Sequence, residues 1–182
     1  MVERSRLPDD PSFGWWVTGL IDGEGCFYAS YSIKEKLSPS GRIHRCFNQY
    51  IGLQVQLRAD DRETLEKLVA YFGVGAVREK PVSKRRRAQI PGANPSVTLR
   101  VESLDDLVEK VIPHFDRFPL QSKKSQDYDL WRQLVVFVHQ NLHGKKGWLR
   151  RFPEQVGNVV SLVGRIQNKR TFQVQVASVG GG

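Results

Sequence analysis

The chain has 182 residues, enough for one domain with its own core. Its 28 Lys and Arg against 19 Asp and Glu leave a formal charge of +9, which points to a polyanionic partner. Two cysteines, Cys26 and Cys46, exclude a disulfide scaffold and make no zinc site; no signal peptide or low-complexity tract stands out, so an intracellular protein is expected.

Residues 1–11 read as a polar, proline-containing arm, with Ser12 the expected cap of the first helix. That helix is apolar on nearly every side. Trp15, Gly19 and Gly23 form one stripe, Trp16, Leu20 and Glu24 a second, and Phe13, Val17 and Ile21 a third. Such a helix is expected to be buried on more than one side, and it is too short to span a bilayer. Gly19 and Gly23 clear one stripe for another backbone, while Gly25 is expected to stop the helix in the left-handed conformation. Asp22 and Glu24 then stand where core packing has no use for a carboxylate. A divalent metal is the obvious partner, although Asp22 also reads as a structural acid that accepts from backbone donors.

After Gly25 the period becomes two. Phe27, Ala29, Tyr31 and Ile33 face inward, and Tyr28, Ser30, Ser32 and Lys34 outward. Ser38-Pro39-Ser40-Gly41 makes the turn, and a second strand places Ile51, Leu53, Val55 and Leu57 inward against Asn48, Tyr50, Gly52, Gln54 and Gln56. Asp60 to Glu63 has the form of a capping box for a helix with Leu65, Leu68, Val69 and Phe72 inward, closed by Gly73-Val74-Gly75. The next hairpin has Val77, Arg78, Glu79 and Lys80 on its first strand. Its return strand alternates Val97, Leu99 and Val101 with Ser96, Thr98 and Arg100, and the loop between carries Lys84, Arg85, Arg86 and Arg87.

Ser103 is expected to cap a helix to about His114; Pro119 breaks the chain before a helix from about Ser122 to Leu142. Trp148 to about Lys169 reads as one or two helices kinked by Pro153, and 176–182 as a loose tail. His139 and His143 have a metal-like spacing but no third ligand, so they read as an ordinary pair. The result is an α+β domain, core 12–142 with a helical extension 143–175. Its four-stranded antiparallel sheet carries helices on one face.

The open face bears Tyr, Gln, Asn, Arg and Lys, with Glu35 and Glu102 as its few acids. It matches a β-ribbon that reads the major groove of double-stranded DNA; the alternative is a solvated sheet face. The reading residues would be Tyr28, Ser30, Ser32, Lys34, Asn48, Tyr50, Gln54, Arg78, Lys80, Thr98 and Arg100. Arg85, Arg86 and Arg87 would touch phosphates, or form a solvated loop.

Val17 to Gly25 resembles the LAGLIDADG motif of homing endonucleases, with matches at Gly19, Leu20, Ile21, Asp22, the acid at 24 and Gly25, and departures at Val17, Thr18 and Gly23. Leu53 to Arg58, the Gly73-Val74-Gly75 helix end and Phe118 to Lys124 resemble further landmarks of an αββαββα core with a saddle-shaped sheet. The resemblance implies a site-specific, intron-encoded double-strand DNA endonuclease that cuts across the minor groove and leaves short 3′ overhangs. One motif copy is similar to the subgroup that acts as homodimers on long pseudo-palindromic sites. Trp15, Gly19 and Gly23 would form the interface. The resemblance assigns Mg²⁺ (or Mn²⁺) to Glu24 and the carbonyl of Gly23, with Glu standing where the motif's name has Asp. It assigns the lysine near the scissile phosphate to Lys123, with Lys124 the adjacent alternative, and a polar strand-end residue to Gln56, because Leu57 occupies the aligned position. The expected location is the cytoplasm, nucleoid or organelle of the intron's host. The rival is a non-cleaving binder, an RNA maturase or a regulator, against which Glu24 and Lys123 count.

Overall fold

Helix α1, Pro11–Glu24, opens on Asp10, whose carboxylate accepts from the Ser12 N–H at 2.9 Å. The cap lies two residues before the expected Ser12 because Pro11, with its preset φ and no N–H to satisfy, takes the first helical position. We describe residues 10–90, 92, 94–142 and 153–168 of the computed structural model, without the side chains of 33–36, 44–48, 84–86, 142, 153–156 and 167–168. Gly25 ends α1 at φ −74° and ψ 155°, extended rather than left-handed, so the chain runs straight into the first strand. Space is what demands glycine there: a Cβ would sit 2.6 Å from the Ile21 carbonyl oxygen.

Strands β1, Gly25–Leu37, and β2, Ile43–Arg58, form a long hairpin; β3, Ala76–Lys80, and β4, Ser96–Val101, form a short one. All pairs are antiparallel in the order β1-β2-β4-β3. The two-residue period sets the layers. Phe27, Ala29, Ile51, Leu53, Val55, Val97, Leu99 and Val101 are buried beneath the sheet, and Tyr31 and Leu57 half-buried.

Helix α2, Arg62–Phe72, ends on Gly73 at φ 68°, the left-handed cap its sequence demands. The expected capping box does not form. A 3-10 turn, Ala59–Asp61, precedes α2, and the Asp60 carboxylate instead takes the Arg58 guanidinium at 2.8 and 3.1 Å. The expected basic loop contains a short helix, α3, Lys84–Gln89. Helix α4 starts where Ser103 accepts from the Asp106 N–H; it runs through Leu104–Asp106, a π-type segment Leu107–Val111, and Ile112–Arg117. Helices α5, Lys124–Leu142, and α6, Pro153–Asn168, follow in the same layer. Pro153 is the first described residue of α6, and the segment before it, on which the expected kink depends, lies outside the described residues. Trp148, His143 and the Cys46 side chain lie outside the described residues. Among the described residues, no helix is long and apolar enough to cross a membrane.

Under β1 the Phe27 ring packs against Phe115, Tyr128 and Trp131 at centroid distances of 5.4, 5.1 and 5.0 Å. Val159, Val163 and Ile166 of α6 extend the same core. In α1 only Gly14, Val17, Thr18 and Ile21 are buried, so the helix uses one side and not several. Gly14 is the closely packed glycine of α1, since a Cβ there would fall 2.4 Å from the Phe118 ring.

A polar thread joins three helices inside this core. The Thr18 hydroxyl donates to the Phe118 carbonyl at 2.8 Å, so its oxygen accepts from His114 Nε2–H at 3.0 Å. Nδ1 is left to accept from the Tyr71 hydroxyl at 2.9 Å, which fixes His114 as a neutral tautomer. Burial pushes its pKa down to about 4 from the ordinary 6.5. The unfolded chain therefore binds this proton first, and stability is full above pH 6.5 and lost as pH falls toward 4. Between pH 7 and 5.5, above the carboxylate range, unfolding free energy is expected to drop by about 1 kcal/mol. Urea midpoints at the two pH values check this; equal midpoints contradict it.

Candidate functional site

The C-terminal end of α1 and the start of α5 hold each other. Asp22 accepts from the Gln121 N–H at 3.0 Å, the Ser122 N–H at 2.9 Å and the Ser122 hydroxyl at 2.5 Å. In return Lys124 donates from Nζ to the carbonyls of Ile21 at 2.9 Å, Gly25 at 2.7 Å and Gly23 at 3.4 Å. An acid thus satisfies donors ahead of α5, and a cation satisfies orphan carbonyls at the negative end of α1. Asp22 has the structural role that its position allows. Of the two adjacent lysines, the structure brings Lys124 to the motif and leaves Lys123 exposed.

Glu24 stands apart from this clasp. It is the exposed last residue of α1 and lines an open cleft of about 400 Å³ with Gln56, Leu57, Arg58, Asp61, Asn94, Pro95 and Ser96. The Gln56 side-chain amide donates to Ser96 Oγ at 3.2 Å, which steadies it beside Glu24 on the cleft wall. Asp61, Asn94 and Ser96 were not legible as site residues. Asp61 was absorbed by the capping-box pattern, and nothing along the chain ties residue 94 to residue 24. Among the described residues, no group of three or more His, Cys, Asp and Glu could hold a metal ion.

The cleft adjoins the outer face of the sheet. Register sets Ser30 opposite Tyr50, Gln54 opposite Arg100, Thr98 between Gln56 and Arg78, and Lys80 opposite Ser96. Tyr50, Arg78, Lys80 and Arg100 are exposed, Tyr28, Ser30, Ser32 and Gln54 half-buried. Thr98 keeps only 7% of its surface, so its hydroxyl lies at the floor of the face between its two longer neighbours. Arg87 is exposed on α3, whereas the side chains of Lys34, Asn48, Arg85 and Arg86 lie outside the description. His139 pairs with Asp105 at 3.0 Å and ties α5 to α4, a packing role.

The other open surface is the far side of α1. Trp15 and Trp16 are 46% and 41% exposed, and a Cβ at Gly19 or Gly23 would meet nothing within 4 Å. Trp15 is braced from one edge by the Phe118 ring at 5.5 Å, and Trp16 stacks on Phe13 at 5.0 Å.

A family model described as LAGLIDADG endonuclease matches residues 17–135. The homing endonuclease I-ApeII of Aeropyrum pernix is 26% identical over 121 residues, 66% of this chain and 61% of its own. The I-SmaMI structure bound to uncleaved DNA target in the presence of calcium ions superposes with a TM-score of 0.62 at 23% identity, covering 90% of this chain and 46% of that one. The homing endonuclease I-TnaI gives a TM-score of 0.60 at 22% identity over 85% of this chain and 93% of that one. The chain spans between 24% and 61% of the length of the curated relatives it matches.

Proposed function

The chain belongs to the LAGLIDADG endonuclease family, and on that premise we propose that it is a site-specific double-strand DNA endonuclease that requires a divalent metal and acts as a homodimer. The observation that carries this reading is the placement of Glu24. An exposed carboxylate ends the motif helix and shares a cleft with Gln56 at the margin of a polar, largely basic sheet face.

The donor chemistry around the cleft fits a hard cation. Glu24 and Asp61 offer carboxylates and Gln56 an amide oxygen to the cleft, and the Gly23 carbonyl, which takes the Lys124 ammonium at 3.4 Å, precedes Glu24 in the chain; all are oxygen ligands of the kind Mg²⁺ takes. One chain supplies too few for a complete shell, which leaves room for phosphate oxygens and for Glu24 of a second copy. When bound, the metal supplies charge neutralisation at the scissile phosphate and acidifies the attacking water. The calcium ions named in the I-SmaMI complex support a divalent ion here. The chain's own residues do the positioning. The Asp22–Ser122 and Lys124–carbonyl bonds hold the helix end, so the Glu24 carboxylate is presented at a fixed place. Gln56, tethered to Ser96, orders water or phosphate at the cleft wall. The Lys124 ammonium adds positive charge at the end of α1, on the carbonyls of Ile21, Gly23 and Gly25, and the adjacent Lys123 is exposed to meet a bound backbone.

Sequence preference is assigned to the outer strand positions and bulk affinity to α3. Replacing Gln54 or Arg78 is expected to relax preference at one or two base pairs, at a cost of roughly 1–3 kcal/mol each. Neutralising Arg85, Arg86 and Arg87 together is expected to weaken all sequences alike and flatten the salt dependence. Selection from a randomised duplex pool separates the two; a changed base preference in the triple variant contradicts the assignment.

The direct test uses a duplex in which the sequences flanking the gene are joined without the intron. Cuts in both strands with short 3′ overhangs, present in Mg²⁺ and absent in chelator, are the expected result. Tight binding with no cut in either Mg²⁺ or Mn²⁺ overturns it in favour of a maturase or regulator.

A further inference from the structure

Glu102 lies just beyond β4 on a face that is otherwise aimed at phosphates and bases. A carboxylate there opposes DNA binding unless it has a task. The Tyr28 hydroxyl donates to Glu102 Oε1 at 2.5 Å, and the same oxygen lies 3.8 Å from Arg100 Nη1. Arg100 in turn donates from Nε to Gln54 Oε1 at 3.0 Å. The strand register permits this. Gly52 stands opposite Tyr28, and a Cβ there would come 2.6 Å from the Tyr28 hydroxyl, so the phenol can cross β2 toward β4 only over a glycine. Ala76, opposite Arg100 on the far side, is too short to compete for the guanidinium. Burial first, and then the Glu102 carboxylate, raise the Tyr28 pKa, which keeps the hydroxyl a donor.

With Nε spent on Gln54 and Glu102 at its flank, Arg100 has its Nη1 and Nη2 ends to present outward. Gln54, its oxygen engaged, presents its amide N–H groups. Arg100 and Gln54 together present a row of donors, with the Glu102 carboxylate at its flank. Guanine is the base whose major-groove edge offers two adjacent acceptors, O6 and N7, to such a row. We propose that Glu102 is a positioning residue that, with Tyr28 and Gln54, aims Arg100 at a guanine in the bound duplex. This rests on the sheet being the DNA-reading surface.

The test is selection of the full chain on a randomised duplex pool, comparing wild type with Glu102→Ala, Glu102→Gln and Arg100→Ala. Wild type is expected to enrich a guanine that Arg100→Ala loses, and Glu102→Ala is expected to lower preference at that same base pair roughly tenfold while other positions keep theirs. Glu102→Gln is expected to retain part of it, since an amide oxygen still accepts from Tyr28. A Glu102→Ala protein that keeps the guanine and binds every duplex more tightly overturns the proposal: Glu102 would then be only an adverse charge. So does loss of a cytosine at a position that Arg100→Ala retains, which would mean that Glu102 reads a base itself. A wild type that enriches no sequence at all overturns the sheet-reading model, and this inference with it.

Discussion

Glu24→Gln is expected to bind duplex DNA as the wild type does and to cut it slower by a factor on the order of 10³ or more. The side chain is exposed and last in its helix, so neither packing nor the Asp22–Lys124 clasp depends on it. The amide keeps the length and shape of the glutamate and removes only its charge. If Glu24 recruits the metal, affinity for DNA survives while turnover in Mg²⁺ does not. Near-normal cutting by this variant removes Glu24 from the chemistry and returns attention to Asp61, the other carboxylate of the cleft.

Gly19→Leu separates folding from activity in a different way. A Cβ at Gly19 meets nothing within 4 Å in the single chain, and the buried side of α1, with Val17 and Ile21, points elsewhere. Replacing a mid-helix glycine with leucine raises helix propensity by roughly 0.7–1 kcal/mol, so the isolated chain is expected to melt no lower than wild type. The added isobutyl group would nonetheless hold a second motif helix off its partner. Self-association and double-strand cutting are both expected to vanish while the circular dichroism melt is kept. A variant that cuts normally contradicts pairing through this stripe.

Both expectations depend on how the sequence distributes its apolar residues. The two-residue alternation of Phe27, Ala29, Leu53, Val55, Leu99 and Val101 made the sheet and its inner face legible, because one buried face leaves strict periodicity in the chain. The left-handed Gly73 was legible for the same kind of local reason. What failed involved choices between competing partners. Asp60 had a matching Glu63 for a capping box but stands nearer the Arg58 guanidinium, and sequence spacing does not weigh an ion pair against a cap. Gly25 looked like a helix stop by handedness, and its crowding against Ile21 appears only once the chain turns directly into β1.

The site was legible in part for related reasons. Glu24 and Gln56 were named from motif resemblance, and the structure brings them to one cleft. Asp61, Asn94 and Ser96 join that cleft from separate segments and left no local signature. The choice between Lys123 and Lys124 depends on helical phase at the start of α5, which adjacent identical residues do not encode; the three carbonyl bonds of Lys124 decide which one faces α1. The all-apolar motif helix is expected to be buried on more than one side, and a single chain covers only the side with Gly14, Val17, Thr18 and Ile21. Its tryptophan and glycine side is left open, where a second copy is proposed to sit.

The central claim is that one cutting site needs two motif helices, each contributing one Glu24. Sedimentation velocity of the wild-type protein on its target duplex, with cutting measured on the same sample, tests it most directly. Two chains per duplex when both strands are cut is the predicted result; a single chain per duplex that cuts both strands would contradict the account.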